Sequence, residues 1–319
     1  MSQLSEPLPL AAGAPAAVGQ RAAPLVVRRS DARRRSTVGE LVLAAREVWE
    51  SRELLMQLVM RDVRVRYSQA IMGLAWAILM PLVIVLSGTM IRIAMATVSG
   101  RPIVPAVIGA TAIKGVVWAF FSGALGGATA SLLSNKALFT KLYFPREVLP
   151  LSAVISQAFD SAIGAAALLV ALPFLGLKLT AALLWLPVLT VLLVLLTTAL
   201  GFFTSCANLF FRDVKYVVSV VLTFGIFLTP VFFEPAMLGP VGGRLLMLNP
   251  LSPVIEGMRL AVIDGHNLLE ALVVTNRRGQ EVLSWTPWYL VYTAVWSLGG
   301  LLASLRVFRR SSVVFAEYA

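Results

Sequence analysis

The transition from a basic segment to an uncharged apolar run, within residues 52–95, constrains the fold of this chain most. Residues 71–91 carry no charged side chain. A helix needs about 20 apolar residues to cross ~30 Å of hydrocarbon, so this run is long enough to span a membrane. Arg61, Arg64 and Arg66 precede it and cannot follow it into lipid, because an arginine at the bilayer centre costs roughly 2.5–3.5 kcal/mol on insertion scales. The positive-inside rule therefore predicts that the basic segment lies on the cytoplasmic side.

The composition of the 319-residue chain is that of a membrane protein. Hydrophobic residues make up 58% of it and charged residues 13%, whereas a soluble globular chain is about 25% charged. Several apolar runs have helical length, which favours α-helical spans over the alternating strands of a β-barrel. The net charge of +11 is interpreted as retained cytoplasmic flanks and not as nucleic-acid binding, because the basic residues cluster beside apolar runs.

Two segments precede the first predicted span. Residues 1–35 are rich in proline and alanine and end in an arginine cluster, so they are predicted to be a disordered cytoplasmic arm. Residues 36–69 open with the capping-box pattern T-V-G-E and then show apolar and charged faces at helical spacing. They are predicted to form an amphipathic helix along the cytoplasmic leaflet. The alternative, a soluble helix packed on another domain, has no such domain in this chain to pack on.

The remainder of the chain is predicted to be a six-helix transmembrane domain, residues 70–310, followed by a cytoplasmic tail, residues 311–319. The predicted spans of this all-α integral membrane protein are residues 71–93, 107–133, 151–172, 182–203, 217–233 and 288–305, with the fifth broken at Thr229-Pro230. This arrangement puts both termini in the cytoplasm. It also puts 19 of the 27 Lys and Arg residues on that side, in agreement with the positive-inside rule.

A long polar segment separates the fifth predicted span from the sixth. Residues 234–284 are too polar to form another span. Within them a helix is predicted from residue 253 to about residue 263, because Ser252-Pro253 is a cap followed by a first-turn proline and Asp264-Gly265 is a stop signal. A helix of about 11 residues is too short to cross a bilayer, so this segment is predicted to be re-entrant or interfacial.

The sequence lacks the motifs of a nucleotide-hydrolysing or metal-dependent enzyme. It contains no G-x-x-x-x-G-K-[ST] phosphate loop, no H-E-x-x-H pair and no Cys/His cluster with metal-ligand spacing. A serine-histidine triad could form only around His266, the single histidine, and an exposed turn histidine is the commoner explanation. We therefore expect no catalytic residue, metal or cofactor in this chain, although an aspartate-based intramembrane chemistry stays open.

Two charged residues lie inside predicted spans. Lys114 falls in the second span and Asp160 in the third, and intramembrane ionisable residues are functional candidates by default. Adjacent antiparallel spans could pair them. The alternative, given equal weight, is that Lys114 extends toward the outer headgroups while Asp160 bonds a neighbouring serine or backbone group. A chain of carboxylates for proton relay is missing, so energy is expected to come from outside the chain.

Gly123 and Gly127, also in the second predicted span, have the GxxxG spacing. Small residues at this spacing allow two helices to approach closely. The pattern fits either a contact across a dimer axis or packing between two helices of one chain.

Four stretches of the sequence carry a family likeness when they are taken together. In chain order they are ELLMQLVMRDVRVRYSQAIMGLAWAILMPL, KLYFPREVLPLSAVISQAFD, FFRDVKYVVSVVLTFGIFLTPVFF and LNPLSPVIEGMRLAV. They resemble the membrane subunit of type-2 ABC exporters, in the branch that exports O-antigen-like polysaccharides and teichoic acids. The resemblance covers residues 53–319. It implies a homodimer of this chain, two copies of a separate subunit that binds ATP and magnesium, and short periplasmic gate helices in residues 234–284.

The resemblance also implies roles for particular residues. The diphosphate of a polyprenyl-diphosphate-linked glycan would bind cationic donors at the cytoplasmic headgroup level, where the matching residues are Arg61, Arg64, Arg66 and Tyr67. The alternative for each arginine is topology anchoring alone. The residues that match the ATPase-contact motif are Tyr143, Phe144, Pro145, Arg146 and Glu147. Those in the gate region are Pro230, Asn249, Pro250, Pro253, Glu256 and Arg259.

Three functions are compatible with these features. The first, which we favour, is a multi-pass permease subunit in the bacterial inner membrane that exports a lipid-linked polysaccharide. The second keeps the fold but changes the cargo to a drug or a lipid. The third is a membrane enzyme that acts on polyprenyl lipids, which would turn such a lipid over without any ATPase.

Overall fold

The computed structural model describes residues 37–68, 75–99, 105–141, 144–171, 173, 180–276, 279–312 and 315. All of them lie in one compact unit that begins at Ser36. The predicted N-terminal arm, residues 1–35, lies outside the described residues, as do the start of the first predicted span and most of the predicted tail.

Eleven helices and one β-hairpin make up the described part of the chain. The helices are α1 Thr37–Glu50, α2 Arg52–Ser68, α3 Ala75–Ser99, α4 Pro105–Ser134, α5 Lys136–Lys141, α6 Val148–Ala171, α7 Trp185–Phe210, α8 Val214–Gly225, α9 Gly239–Met247, α10 Ser252–Arg259 and α11 Trp288–Ser312. Short 3-10 turns precede α7 at Ala181–Leu184, follow α8 at Ile226–Leu228 and precede α9 at Pro235–Leu238. A π-helical turn, Leu260–Asp264, extends α10.

The predicted interface helix, residues 36–69, is two helices, α1 and α2, that meet at Ser51. The amide of Ser51 donates to two carbonyls at once, those of Glu47 and Val48, each at 3.1 Å. Shared bonds of this kind are common where a helix ends. The amphipathic segment is therefore interrupted at one residue, where the sequence pattern predicted a continuous helix.

Four helical segments in the described ranges are long and apolar enough to cross a membrane. They are Ala106–Ser134, Val148–Ala171, Ala181–Phe210 and Trp288–Ser312, and they correspond to the second, third, fourth and sixth predicted spans. The chain is therefore a multi-pass helical membrane protein. The first and fifth predicted spans are shorter apolar helices, Leu82–Val98 and Val214–Leu228.

The fifth apolar helix is short because the chain turns where the sequence contains Thr229-Pro230. Helix α8 ends at Gly225, and the 3-10 turn that follows ends at Leu228. The hydroxyl of Thr229 donates to the carbonyls of Gly225, at 3.2 Å, and Ile226, at 3.1 Å. Proline cannot donate the next helical hydrogen bond, so the helix stops here. The predicted break is confirmed, but residues 229–233 form turns and not the end of a span.

Helix α4 lies at the centre of the packing and contacts α3, α6, α7 and α10. A methyl group on Gly127 would lie 3.5 Å from the Cβ of Ala153 on α6, and one on Gly123 would lie 2.5 Å from the Gln157 side chain. The GxxxG pair therefore brings α4 and α6 of the same chain together. Of the two readings that the sequence allowed, the structure supports packing within the chain.

The segment between α8 and α11 folds over one end of the bundle. Helix α10 and its π-helical turn together cover residues 252–264, and Gly265 ends them with a φ of 64°, a left-handed conformation that favours glycine. The predicted helix at residues 253–263 and its stop at Asp264-Gly265 are confirmed. Asp264 and Gly265 are followed by a buried Leu268, whose carbonyl accepts a 3.0 Å bond from the indole of Trp285.

An antiparallel hairpin in this segment departs from the all-α prediction. Its strands are β1 Leu272–Thr275 and β2 Glu281–Trp285, paired from Thr275 opposite Glu281 to Leu272 opposite Trp285, with a register shift next to Leu272. The β-branched residues of both strands favour this structure. Strands of four and five residues are too short to give a clear alternating pattern in the sequence.

Candidate functional site

The predicted diphosphate-binding residues lie along α2, beside the C-terminal end of α4. Arg61 pairs with Asp62 at 2.7 Å and donates to the Oδ1 of Asn135, one residue beyond α4, at 2.8 Å. Arg64 is exposed and has no hydrogen-bond or ion-pair partner within the described ranges. Arg64 is therefore available to an anionic ligand.

Arg66 and Tyr67, at the end of α2, both contact Asp160 on α6. Arg66 forms an ion pair with the Oδ2 of Asp160 and donates to the Oε1 of Gln157 at 3.2 Å. The hydroxyl of Tyr67 donates to the Oδ1 of Asp160 at 2.6 Å. Burial raises the pKa of Tyr67 and outweighs the opposing effect of Arg66, so the phenol keeps its proton and remains a donor at neutral pH. We call Arg61, Arg64, Arg66 and Tyr67 the arginine face.

The pairing of Lys114 with Asp160, which the sequence left open, is wrong. Lys114 pairs instead with Glu256 of α10 at 2.9 Å, and both side chains are fully buried. Its Nζ also donates to the carbonyl of Phe233 at 3.2 Å. The alternatives are wrong as well, because Lys114 does not extend outward and Asp160 takes its partners from α2. A fully buried lysine needs a carboxylate, and the sequence spacing gave no indication of which one.

Lys114 and Glu256 belong to a larger set of charges that joins α3, α4 and α10. Arg259 contacts Glu256 at 2.7 Å and Asp264 at 2.8 Å. Arg92 of α3 contacts Glu234 at 2.9 Å. We call the set the buried charge network, after its fully buried pair Lys114 and Glu256. Its members are Arg92, Lys114, Glu234, Glu256, Arg259 and Asp264, of which Asp264 is exposed and Glu234 is partly exposed. Three cations face three anions, so the network is neutral as a whole.

The network favours the ionised forms of Glu256 and Glu234. Burial by itself would raise the pKa of Glu256, but the charges of Arg259 and Lys114 outweigh burial and bring this pKa down to about 2. Burial likewise opposes the charged form of Arg259, and Glu256 and Glu234 more than compensate, so the pKa of Arg259 is raised. Glu234 follows the pattern of Glu256, and its pKa is lowered. All three groups are therefore charged across the physiological pH range.

The remaining predicted gate residues shape the backbone around this network. Asn249 accepts a 3.1 Å bond from the amide of Leu251 in a turn, and Pro253 lies in the first turn of α10. The carbonyl of Pro250 accepts a 3.2 Å bond from the hydroxyl of Thr293 on α11. Pro230 is buried in the turn after α8. These residues position α10, while Glu256 and Arg259 supply its charge.

The predicted ATPase-contact loop lies beside the end of α11. Phe144 and Pro145 are half-buried, whereas Tyr143 lies outside the described residues. Arg146 donates to the carbonyl of Ser312 and stacks over the ring of Phe315, 5.5 Å from its centroid.

Glu147, next in this loop, is buried and forms an ion pair with Arg309 at 2.8 Å. Arg309 also pairs with Glu47 of α1 at 2.5 Å. The two charged residues of the predicted contact loop are therefore engaged within the chain, and they tie the loop to α1 and α11.

An open cavity of about 400 Å³ lies between α4 and α8. Its lining includes one indole, four hydroxyl groups and one ammonium group, from Trp118, Ser122, Thr129, Ser219, Thr223 and Lys215. A flat aromatic ring beside hydroxyl groups is a surface that suits sugars. Sequence reasoning did not single out this cavity, since α8 had been assigned to a span without a stated face.

The sequence profile of the ABC-2 type transporter family matches residues 53–263. This range begins in α2 and ends in the π-helical turn after α10, so it contains the arginine face and nearly all of the buried charge network. The chain belongs to the ABC-2 type transporter family. It is a membrane subunit of a transporter. Members of this family work with an ATP-binding cassette partner.

Known proteins similar to this chain include three export permeases. The chain is 28% identical to the O-antigen export system permease protein RfbA of Myxococcus xanthus over 233 residues, which are 72% of this chain and 88% of that protein. It is 26% and 25% identical to two O-antigen export system permease proteins RfbA of Klebsiella pneumoniae, over 67% of this chain and 81% of each of those proteins.

Proposed function

We propose that this chain is the permease subunit of an exporter that moves a polyprenyl-diphosphate-linked polysaccharide across the inner membrane. The observation that carries the proposal is the similarity to three O-antigen export permeases, which extends over at least 81% of the length of each. A separate subunit would hydrolyse ATP. The chain would act as a homodimer with two copies of that subunit.

The proposed topology has six spans with both termini in the cytoplasm. Four long apolar helices and the two shorter ones, Leu82–Val98 and Val214–Leu228, would make up the spans. The distribution of 19 of the 27 Lys and Arg residues supports this orientation. Helices α1 and α2 would lie along the cytoplasmic leaflet, and α9 and α10 would be the periplasmic gate helices.

The arginine face is the proposed site for the diphosphate. Arg64 is exposed without a partner in the described ranges, and the side chain of Arg66 is 44% exposed despite its contact with Asp160. A guanidinium binds phosphate through planar pairs of N–H donors. The cavity between α4 and α8, with its indole and hydroxyl groups, is the proposed start of the path for the sugars.

The loop at residues 143–147 is the proposed contact for the ATP-binding subunit. Phe144 and Pro145 would provide the contact surface. Arg146 and Glu147 would connect that surface to α11 through Ser312 and Arg309. Motion of the partner would then reach α11 as a rigid-body displacement.

Deletion of the gene in its native host tests the proposal. We expect surface polysaccharide to be lost and diphosphate-linked glycan to accumulate in the cytoplasm, with both effects reversed by the wild-type gene. Affinity purification of the tagged chain should also recover a subunit with a Walker motif. The matched control is a variant of that subunit without its catalytic Walker residues, which should reproduce the deletion.

Other results would favour the alternative functions. Unchanged surface polysaccharide together with increased sensitivity to drugs would indicate a drug or lipid exporter. Turnover of a polyprenyl lipid by the purified chain, without any ATPase, would indicate a membrane enzyme. Either result would contradict the proposed function.

A further inference from the structure

Asp160 is a buried carboxylate in the middle of α6, and α2 engages both of its oxygens. Oδ2 pairs with Arg66, and Oδ1 accepts the 2.6 Å bond from Tyr67. The Asp160 side chain is 8% exposed, whereas that of Arg66 is 44% exposed. Arg66 is therefore held from the protein side and remains open to a ligand on the other side.

A second residue of α6 supports the same arginine. Gln157, one turn before Asp160, accepts a 3.2 Å bond from the Nη1 of Arg66. The space for the Gln157 amide exists because residue 123 of α4 is glycine; a Cβ there would lie within 2.9 Å of its Cδ, Oε1 and Nε2. Three helices thus cooperate in holding one guanidinium.

One edge of Arg66 has no partner among the residues that the structure describes. The contacts with Asp160 and Gln157 both use Nη1. Nε and Nη2 are the donors that an approaching phosphate would meet, and they lie side by side as phosphate recognition requires. A phosphate bound there would lie close to the negative charge of Asp160 and would be repelled by it.

We propose that Asp160 is a positioning residue that holds Arg66 and Tyr67 on α6, and that its negative charge weakens the binding of the substrate's diphosphate to the Nε–Nη2 edge of Arg66. The inference rests on the proposed function, since it takes an isoprenoid diphosphate as the ligand. A transporter must release its cargo as well as bind it. The repulsion between Asp160 and the bound diphosphate favours release, because it makes the bound state less favourable.

The repulsion predicts a change in ligand affinity that is opposite in sign to the change expected from a purely structural role. If Asp160 only fastened α2 to α6, its neutralisation would loosen the site and weaken ligand binding. If Asp160 repels the ligand, neutralisation removes a repulsion between like charges and tightens binding. Water screens much of the repulsion between like charges at a site as exposed as Arg66, so we expect binding to tighten by about tenfold.

The test is a titration of the purified full-length protein with farnesyl diphosphate in detergent. We expect Asp160→Asn to bind this probe about tenfold more tightly than wild type, and to export less glycan in cells. Asp160→Glu keeps the charge and should retain wild-type affinity. Asp213→Asn, the same change at an exposed position before α8, should also retain it.

A double variant shows whether the effect acts through the arginine. In Arg66→Gln/Asp160→Asn the gain in affinity should disappear. Equal or weaker binding by Asp160→Asn, with wild type binding normally, would overturn the role of Asp160 and leave the proposed function intact. Absence of binding by wild type would overturn both, because the diphosphate would then not be a ligand of this site.

Discussion

The buried charge network and the arginine face differ less in charge than in their access to solvent. Both contain several cations close to carboxylates. The network includes Lys114 of α4, and the arginine face contacts Asn135, just beyond the end of α4. These two residues are 21 positions apart, which corresponds to about 30 Å along a helix at 1.5 Å per residue. The Lys114 and Glu256 side chains are fully buried, while Arg64 is exposed without a partner in the described ranges.

This difference indicates different roles for the two clusters. A buried ion pair is difficult to separate, because removal of one partner leaves an uncompensated charge in a medium of low dielectric constant. The network is therefore suited to fixing α10 against α3 and α4. An exposed arginine is already hydrated and can exchange water for phosphate at low cost. The arginine face is therefore suited to reversible binding.

The largest effect is expected from removal of the central carboxylate of the network. Glu256→Gln leaves Lys114 and Arg259 without their shared anion, and we expect a loss of about 3–5 kcal/mol in the free energy of unfolding. Thermal unfolding of the purified protein in detergent measures it. Glu281→Gln, at an exposed position in the same segment, is the matched control and should unfold like wild type. Similar unfolding temperatures for the two variants would contradict the structural role of the network.

A smaller effect, on transport and not on folding, is expected at the arginine face. Arg64→Glu should reduce export by about tenfold, because the substrate loses one charge-assisted hydrogen bond and meets a repelling charge. Arg310→Glu is the control, since Arg310 is also exposed without a partner in the described ranges. Quantification of surface glycan at equal membrane abundance measures both. Equal losses would mean that the arginines act only through topology.

Gly123→Ala tests the link between helix packing and the arginine face, and its effect on stability and export should be smaller still. The new Cβ would contact the end of the Gln157 side chain, which is flexible and can move aside. We expect a loss of about 1 kcal/mol in stability, at the low end of overpacking costs, together with weaker support for Arg66. Gly299→Ala meets no atom within 4 Å and should not destabilise. A Gly123→Ala variant with the stability and the export of wild type would show that the arginine face does not depend on the packing of α4 against α6 at this position.

The smallest effect concerns pH. The pKa of Glu256 in the folded protein is about 2, below the value of about 4.3 for a glutamate in an unfolded chain. A lowered carboxyl pKa contributes stability that is present above the unfolded pKa and is lost as the pH falls through the folded pKa. The difference in unfolding temperature between wild type and Glu256→Gln should therefore be constant from about pH 5 to about pH 8. A difference that already shrinks at pH 6 would contradict this assignment.

The sequence predicted the helical framework well because its signals are local. Apolar runs, polar breaks and stop signals gave four spans, the turn at Thr229-Pro230 and the helix that ends at Gly265. The β-hairpin was missed, since Leu272–Thr275 and Glu281–Trp285 are too short to show a period. The resemblance to a transporter family was confirmed by the family match at residues 53–263.

The charge pairs could be predicted only in part, because they join residues far apart in the sequence. Lys114 and Glu256 are 142 positions apart, and no spacing rule links them. One signal was present: Lys114 and Arg92 in apolar helices required anions, and the polar segment after α8 contains Glu234 and Glu256. Charge balance would have favoured that segment over Asp160 as the source of a partner for Lys114.

The central claim, that the arginine face and the gate segment lie on opposite sides of the membrane, is tested most directly by thiol labelling. In a Cys206→Ser background, Arg64→Cys and Glu270→Cys each provide one exposed thiol for a reagent that cannot cross the membrane. We expect Arg64→Cys to react only in inside-out vesicles and Glu270→Cys only in right-side-out vesicles. Reaction of both variants from the same side would contradict the account.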